Sequence, residues 1–147
     1  MAKFSTGLRN DMLDESNFKA LMDGGVLNVY GGVPAPDSAD DEVPGGATLI
    51  VTLTDDGGSG GLNWGAADGA VLPKDSSQVW RGENQVTAEA LWFRFVAAGD
   101  AGDDNPGSHR VQGTVGTVAA DLLLGNTTLE SGQDFTLNFF SVAFPTL

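Results

Sequence analysis

The spacing of apolar residues changes at a pair of glycines, Gly24 and Gly25, and this change constrains the fold more than any other feature of the chain. Residues 1–23 place apolar side chains three or four positions apart, which is typical of helices. After the glycines, most apolar runs alternate with polar residues, which is the period of a β-strand. The sequence therefore predicts a helical arm over residues 1–24 and a β-domain over residues 25–147.

Two short helices are predicted within the arm. Ser5 is the candidate cap of the first, and Asp14 or Ser16 of the second. Glycine adopts the left-handed conformation easily, so Gly24 and Gly25 end the helical part. One apolar face is expected on each helix: Leu8, Met12 and Leu13 on the first, and Phe18, Leu21 and Met22 on the second. We expect an arm that docks on another molecule and that can be removed without unfolding the β-domain.

Short apolar runs bounded by Gly, Pro, Asp or Ser fill the second segment. Their number and length predict a mostly-β fold, an antiparallel β-sandwich or jelly-roll-like domain. The expected strands cover residues 26–30, 47–54, 62–64, 70–72, 78–81, 87–97, 110–117, 121–129 and 135–144.

Two of these strands and one loop carry specific expectations. In residues 47–54, Leu49, Val51 and Leu53 are predicted on one face and Ile50 on the other. The acidic loop before that strand is expected to be exposed. The last strand has two apolar faces, one of them formed by Phe140, Val142 and Phe144. It is therefore covered on both sides, bulged at Phe139 and Phe140, or used against a partner.

Charge and composition narrow the classes of partner. Twenty acidic and seven basic residues give a net charge of −13, which disfavours binding to nucleic acid and to anionic membranes. No apolar run reaches the length of a membrane span, and the N-terminus has no signal-peptide core. The chain contains no cysteine, so disulfides and thiolate metal sites are excluded.

The search for catalytic groups favours a protein without enzymatic activity, cofactor or metal. His109 enters a strand from a Gly-rich loop and is interpreted as a surface residue. The acidic pairs lie in polar turns, whereas a glycosidase needs two carboxylates facing each other across a cleft. An irregular calcium site remains open at Asp100, Asp103, Asp104 and Asn105, although the EF-hand pattern fails there.

Aromatic side chains suggest a further alternative. Trp64, Trp80, Trp92 and Tyr30 could form an exposed stacking platform for sugar rings. Aromatic residues on strands more often fill a core or an interface. We therefore expect packing roles for them and keep sugar binding as an alternative.

Several segments resemble a family of small virion proteins of tailed bacteriophages. The resemblance runs nearly end to end and carries no chemically diagnostic motif. The segments are residues 1–10, 23–30, 76–82, 92–95, 110–116 and 139–146, which read MAKFSTGLRN, DGGVLNVY, SSQVWRG, WFRF, RVQGTVG and FFSVAFPT.

The resemblance implies a structural component of the particle, similar to capsid decoration or cement proteins. Such a protein would be made in the host cytoplasm, lie on the capsid exterior, and bind the major capsid protein and neighbouring virion proteins. Dimers or trimers are expected, because cement proteins bind at symmetry axes. Candidate interface residues are Phe4, Leu8, Met12, Leu13 and Phe18 in the arm, and Phe140, Val142 and Phe144 in the last strand.

Other positions in the virion and other functional classes remain alternatives. A collar, neck or tail component would show the same sequence features. A carbohydrate-binding jelly-roll module of a tail or fibre, and a small hydrolase, are the rivals from other classes. The strong acidity fits either a saline habitat or a positive docking surface on the shell.

Overall fold

Residues 1–144 are described by the structure, a computed structural model, and they form a mostly-β fold. Strands hold 37% of the residues and helices 10%, so the predicted fold class is confirmed. The jelly-roll topology stays a prediction. Residues 145–147, which belong to the predicted β-domain and in part to the last resembling segment, lie outside the described residues.

Both predicted helices are present, as α1 (Thr6–Asp14) and α2 (Phe18–Met22). The strands of residues 1–144 are β1 (Lys3–Phe4), β2 (Val26–Gly31), β3 (Thr48–Asp55), β4 (Val71–Pro73), β5 (Trp80–Glu83), β6 (Ala88–Glu89), β7 (Trp92–Val96), β8 (Arg110–Gly116), β9 (Leu122–Leu123), β10 (Thr128–Leu129), β11 (Asp134–Leu137) and β12 (Ser141–Ala143). The strand predicted over residues 62–64 is reduced to isolated bridges. Each strand predicted over residues 87–97, 121–129 and 135–144 is divided into two.

The main sheet has the strand order β1-β8-β7-β2-β3-β5-β11. These neighbours are antiparallel, and β9 adds a parallel pair beside β8. Two small antiparallel sheets, β6–β10 and β4–β12, complete the described part of the chain. None of the helices described is long and apolar enough to cross a membrane.

A β-bulge corrects the predicted faces of β3. Val29 pairs with Val51, but the next residue, Tyr30, pairs with Leu49, so Ile50 is the extra residue. Such an insertion reverses the alternation of side chains beyond it. Leu49 is therefore 43% exposed, whereas Ile50 is buried.

The N-terminal segment packs into the core of the β-domain. Leu8, Phe18 and Met22 lie in the same buried cluster as the strand residues, and Phe4 in β1 pairs with Val111 in β8. The expectation of a removable arm is therefore wrong. Leu13 is 86% exposed, so it does not share the buried face predicted for α1.

The helix caps also differ from the prediction. Ser5 occupies the capping position of α1, but its hydroxyl donates to the Ser108 carbonyl oxygen at 2.6 Å. The free N–H of Thr6 instead donates to a carboxylate oxygen of Asp40 at 2.7 Å. Asn17, rather than Asp14 or Ser16, caps α2, because its side-chain oxygen accepts from the backbone N–H of Ala20 at 2.9 Å.

The two glycines end the helical part as predicted. Gly24 has a φ of +85°, in the left-handed region that glycine adopts without steric cost. At Gly25 a Cβ atom would lie 2.2 Å from the carbonyl oxygen of Val96. The turn therefore needs one glycine for its conformation and the next for a close approach between backbones.

Buried arginines occupy the face of the sheet opposite the apolar core. Arg94 and Arg110 alternate with core residues along β7 and β8, and both are 0% exposed. Nε and Nη2 of Arg110 donate to the two carboxylate oxygens of Asp100 at 2.7 and 3.0 Å. Nε and Nη2 of Arg94 donate to Oε1 of Gln112 at 3.0 and 2.5 Å. A buried guanidinium is tolerated only when its donors find acceptors in this way.

The acidic loop between β2 and β3 supplies the remaining acceptors. Arg110 donates to the carbonyl oxygen of Asp40 at 3.1 Å, and Arg94 to that of Asp41 at 2.9 Å. Gln112 donates to the carbonyl oxygen of Pro36 at 2.8 Å. The prediction of an exposed loop is therefore wrong: its backbone is docked on the sheet, although Asp37 and Glu42 remain exposed.

Packing of α1 into the core predicts a large difference between two leucines of that helix. Leu8→Ala removes a fully buried side chain, and it should lower the free energy of unfolding by about 2–5 kcal/mol. Leu13→Ala, the matched control, should change it by less than about 0.5 kcal/mol. Urea unfolding followed by circular dichroism measures both. Equal effects would contradict the packing of α1.

The pair of Asp100 and Arg110 predicts a pH-dependent stability. Burial by itself raises the pKa of Asp100, but hydrogen bonds from Arg110 and from the Gly102 N–H outweigh it, so this pKa lies below its ordinary value of 3.8. Because the folded-state pKa is lowered, the stabilisation is complete above an unfolded-state pKa of about 3.9 and is lost as the pH falls through the folded-state value.

Asp100→Asn should therefore cost about 3–5 kcal/mol at pH 7, since it leaves Arg110 without its buried counter-charge. The difference from the native chain should shrink below a pH of about 4. Urea unfolding across this pH range measures it, with the exposed Asp104→Asn as control. A difference that stays constant with pH would refute the ion-pair account.

Candidate functional site

The last apolar run is interrupted at residues 138–140, between β11 and β12. β11 stays in the main sheet beside β5, whereas β12 leaves it and pairs with β4. Phe140 turns inward, with its ring centroid 5.5 Å from that of Phe93 and 5.7 Å from that of Trp64. Its neighbour Phe139 is 89% exposed. The interruption therefore sends two adjacent aromatic rings to opposite environments.

A groove of about 1360 Å³ lies between the β4–β12 ribbon and the helices. We call it the ribbon groove. Residues of α1 and α2, of segments 64–67 and 70–76, and of segment 138–144 line it. Three of its large apolar side chains are exposed: Val71 (38%), Phe139 (89%) and Phe144 (61%). Exposed apolar side chains that line one groove mark an interaction site more often than a single exposed leucine does.

Trp64 anchors the ribbon groove to the core. Its ring centroid lies 5.1 Å from Phe18 and 5.4 Å from Trp80, both in edge-to-face arrangements. The residue is 1% exposed, and its indole N–H has no hydrogen-bond partner within residues 1–144. The base of the groove is therefore a packed aromatic cluster.

The titratable residues lining the ribbon groove are Lys19, Lys74 and Asp75. Lys19 forms an ion pair with Asp23 at 2.7 Å and donates to the carbonyl oxygen of Trp64. Nζ of Lys74 donates to the carbonyl oxygen of Gln78 at 2.7 Å. The ammonium groups of both lysines are therefore hydrogen-bonded within the chain, but only that of Lys19 is paired with a carboxylate within residues 1–144.

Asp75 is poorly suited to proton transfer. Hydrogen bonds from the hydroxyl and the backbone N–H of Ser77, at 2.7 and 2.8 Å, lower the pKa of its carboxyl group. A carboxylic acid that protonates a leaving group needs a raised pKa instead. The chemistry of the ribbon groove thus favours apolar binding over acid–base catalysis.

Five of the eight predicted interface residues line this one groove. They are Met12, Phe18, Phe140, Val142 and Phe144. The sequence assigned them to two separate surfaces, an arm and a last strand. Burial of Phe18 (7% exposed) limits it to the base of the groove.

The other three predicted interface residues lie elsewhere. Leu8 is 0% exposed and cannot contact a partner, so its assignment is corrected. Phe4 is half-buried against Phe18, with ring centroids 5.6 Å apart. Leu13 is exposed but does not line the groove.

Sequence reasoning missed Phe139, Val71 and Leu72 as groove residues. A signal for Phe139 was present, because two adjacent aromatic residues on a strand cannot both face one core. Val71 and Leu72 gave no comparable signal. Their place in the groove depends on the pairing of β4 with β12, which joins segments about 70 residues apart in the chain (Val142↔Leu72).

The single histidine pairs with α1. Nε2 of His109 lies 2.6 Å from a carboxylate oxygen of Asp11, and the histidine side chain is 21% exposed. This contact ties the loop before β8 to the helix. Neither residue lines the ribbon groove.

In the candidate calcium loop, side-chain oxygens accept hydrogen bonds from other groups of the protein. Asp100 holds Arg110, and the side-chain oxygen of Asn105 accepts from the backbone N–H of Gly107 at 2.9 Å. Asp103 lies 3.4 Å from Arg110. No three carboxylate or imidazole groups within residues 1–144 are placed to hold a metal ion.

The alternative of an exposed stacking platform for sugars is wrong, and the packing role expected for the aromatic residues is confirmed. Trp64, Trp80 and Trp92 are each at most 1% exposed, and Tyr30 is 7% exposed. Tyr30 stacks on Trp92 at 4.2 Å between ring centroids. Aromatic area that is buried in this way stabilises the core and leaves no face for a sugar ring.

Accessibility of the ribbon groove predicts binding of an apolar fluorescent dye such as bis-ANS. Phe139→Ser with Phe144→Ser should reduce the dye fluorescence several-fold, because it removes the exposed rings. Val118→Ser, at a residue that is 78% exposed and outside the groove, is the control. Equal fluorescence from both variants would show that the dye binds elsewhere.

Comparison of the chain with protein family models, with curated protein sequences and with solved structures finds no match. The resemblance to phage virion proteins therefore stays a prediction. The ribbon groove and its chemistry are the basis for a functional proposal.

Proposed function

We propose that this chain is a non-enzymatic structural protein of a tailed-bacteriophage virion. In this proposal it is a capsid decoration protein that binds the major capsid shell from outside and stabilises it. The observation that carries the proposal is the ribbon groove, an apolar surface with exposed Phe139 and Phe144 on an otherwise acidic domain. The resemblance of six sequence segments supplies the virion context.

The energetics of cementing agree with such a surface. Burying an exposed phenylalanine side chain contributes about 1.5–3 kcal/mol, so Phe139 and Phe144 together provide a modest contact. Repetition of that contact over many shell subunits multiplies the stabilisation of the particle. The packed cluster behind the groove, from Trp64 to Phe140, keeps the ordering cost of binding low.

Acid–base catalysis has less support. A glycosidase holds two carboxyl groups across a cleft, one of them with a raised pKa. In the ribbon groove Asp75 has a lowered pKa, and the other titratable lining residues are lysines engaged with the chain. Binding is therefore the function that the groove supports best.

Reconstruction of the whole particle by electron microscopy tests the proposal. Density for this chain should cover the shell, with the ribbon groove against the major capsid protein. Phe139→Ser should lower its occupancy on particles relative to the native chain and to Val118→Ser. Copies confined to one vertex or to the tail would instead indicate a collar, neck or tail component.

A further inference from the structure

Three carboxylates lie next to the lining residues of the ribbon groove in the sequence. Asp14 and Glu15 directly precede the lining residue Ser16, and Asp68 lies between the lining residues Ala67 and Ala70. All three carboxylates are exposed, and none forms an ion pair within residues 1–144.

Of the two lysines that line the groove, only Lys19 has a carboxylate partner within residues 1–144. Lys19 is paired with Asp23, and Nζ of Lys74 donates to the carbonyl oxygens of Asp75 and Gln78 at 3.2 and 2.7 Å. In the described part of the chain, three exposed carboxylates without an ion pair therefore outnumber one lysine without such a pair, Lys74, near the groove, while its interior is apolar. Such a surface complements an apolar segment flanked by lysine or arginine.

A second copy of this chain fits the groove less well. Each copy carries a net charge of −13, and like charges brought together across an interface repel. In a second copy, the exposed apolar residue next to the groove residues in sequence is Leu13. It is followed by Asp14 and Glu15, so its entry into the groove would bring further carboxylates to a surface that is already acidic. The predicted dimer or trimer then requires another surface.

We propose that the ribbon groove binds an apolar segment, flanked by basic residues, from a different protein. The apolar centre of the segment packs against Phe139, Val142 and Phe144. Its basic flanks lie beside Asp14, Glu15 and Asp68. This inference rests on the proposed function for the partner's place in the virion, and it specifies the chemistry by which that partner is recognised.

Two synthetic peptides test the inference on the full-length protein. They share a centre of leucine and phenylalanine, with lysines at both ends of one and glutamates at both ends of the other. Tryptophan fluorescence reports binding, because Trp64 lines the groove. The lysine-flanked peptide should bind at least tenfold more tightly. Its advantage should shrink as salt rises to about 0.5 M, since ions screen exposed charges.

Matched variants separate the two parts of the recognition. Phe139→Ser should weaken both peptides by at least about tenfold, because it removes a large apolar side chain from the contact; Val118→Ser should weaken neither. The triple variant D14N/E15Q/D68N should remove the advantage of the lysine-flanked peptide only. The triple variant E42Q/D104N/D134N makes the same charge change at exposed residues outside the groove and should keep that advantage.

Three results would overturn the inference. Equal affinity for the two peptides would remove the role of charge. Binding unaffected by Phe139→Ser would place the site elsewhere. A concentration-dependent dimer in sedimentation experiments that is lost in Phe139→Ser would identify a second copy as the occupant.

Failure of the proposed function gives a different result. Purified particles that lack this chain would refute the virion role and leave the peptide preference intact. Particles that carry the chain, combined with no peptide preference, would refute the inference alone.

Discussion

Burial of two arginines on one face of the main sheet is the constraint on which the rest of the structure depends. Arg94 and Arg110 are 0% exposed, and their guanidinium groups need more acceptors than the sheet itself provides. Asp100, Gln112 and carbonyl oxygens of the loop between β2 and β3 supply them. That requirement fixes two acidic loops on the sheet. Asp40 extends the network to the first turn of α1 through the N–H of Thr6.

The polar contacts of the two arginines cover one face of the main sheet. The apolar core and the ribbon groove lie on the opposite face. The helices pack there through Leu8, Phe18 and Met22, and the aromatic cluster around Trp64 continues from them to Phe140. Because β12 pairs with β4 rather than extending β11, Val142 packs only partly against the core and Phe144 stays exposed. The groove forms because β12 pairs with β4 instead of continuing along β5 as β11 does.

Much of the local structure could be predicted from the sequence, and the errors have physical reasons. Glycine pairs and apolar spacing located both helices and most strands. Leu49 was assigned to the wrong face because a bulge at Ile50 is invisible to a simple alternation. The acidic loop was predicted to be exposed, because composition does not show that its carbonyl oxygens bind arginines. The tryptophans were considered for sugar binding, yet only their burial decides between a platform and a core.

The sequence by itself determined the helix-to-strand change at Gly24, the mostly-β class, the acidity, and five of the residues that meet in the groove. Apolar periodicity and turn preferences depend on residues that are neighbours in the chain, so they can be predicted from the sequence. Tertiary structure alone decided that the N-terminal helices belong to the core, and that Val142 and Leu72 form one ribbon. It also decided which aromatic rings remain exposed. These features depend on contacts between segments far apart in the chain, whose pairing local patterns do not encode.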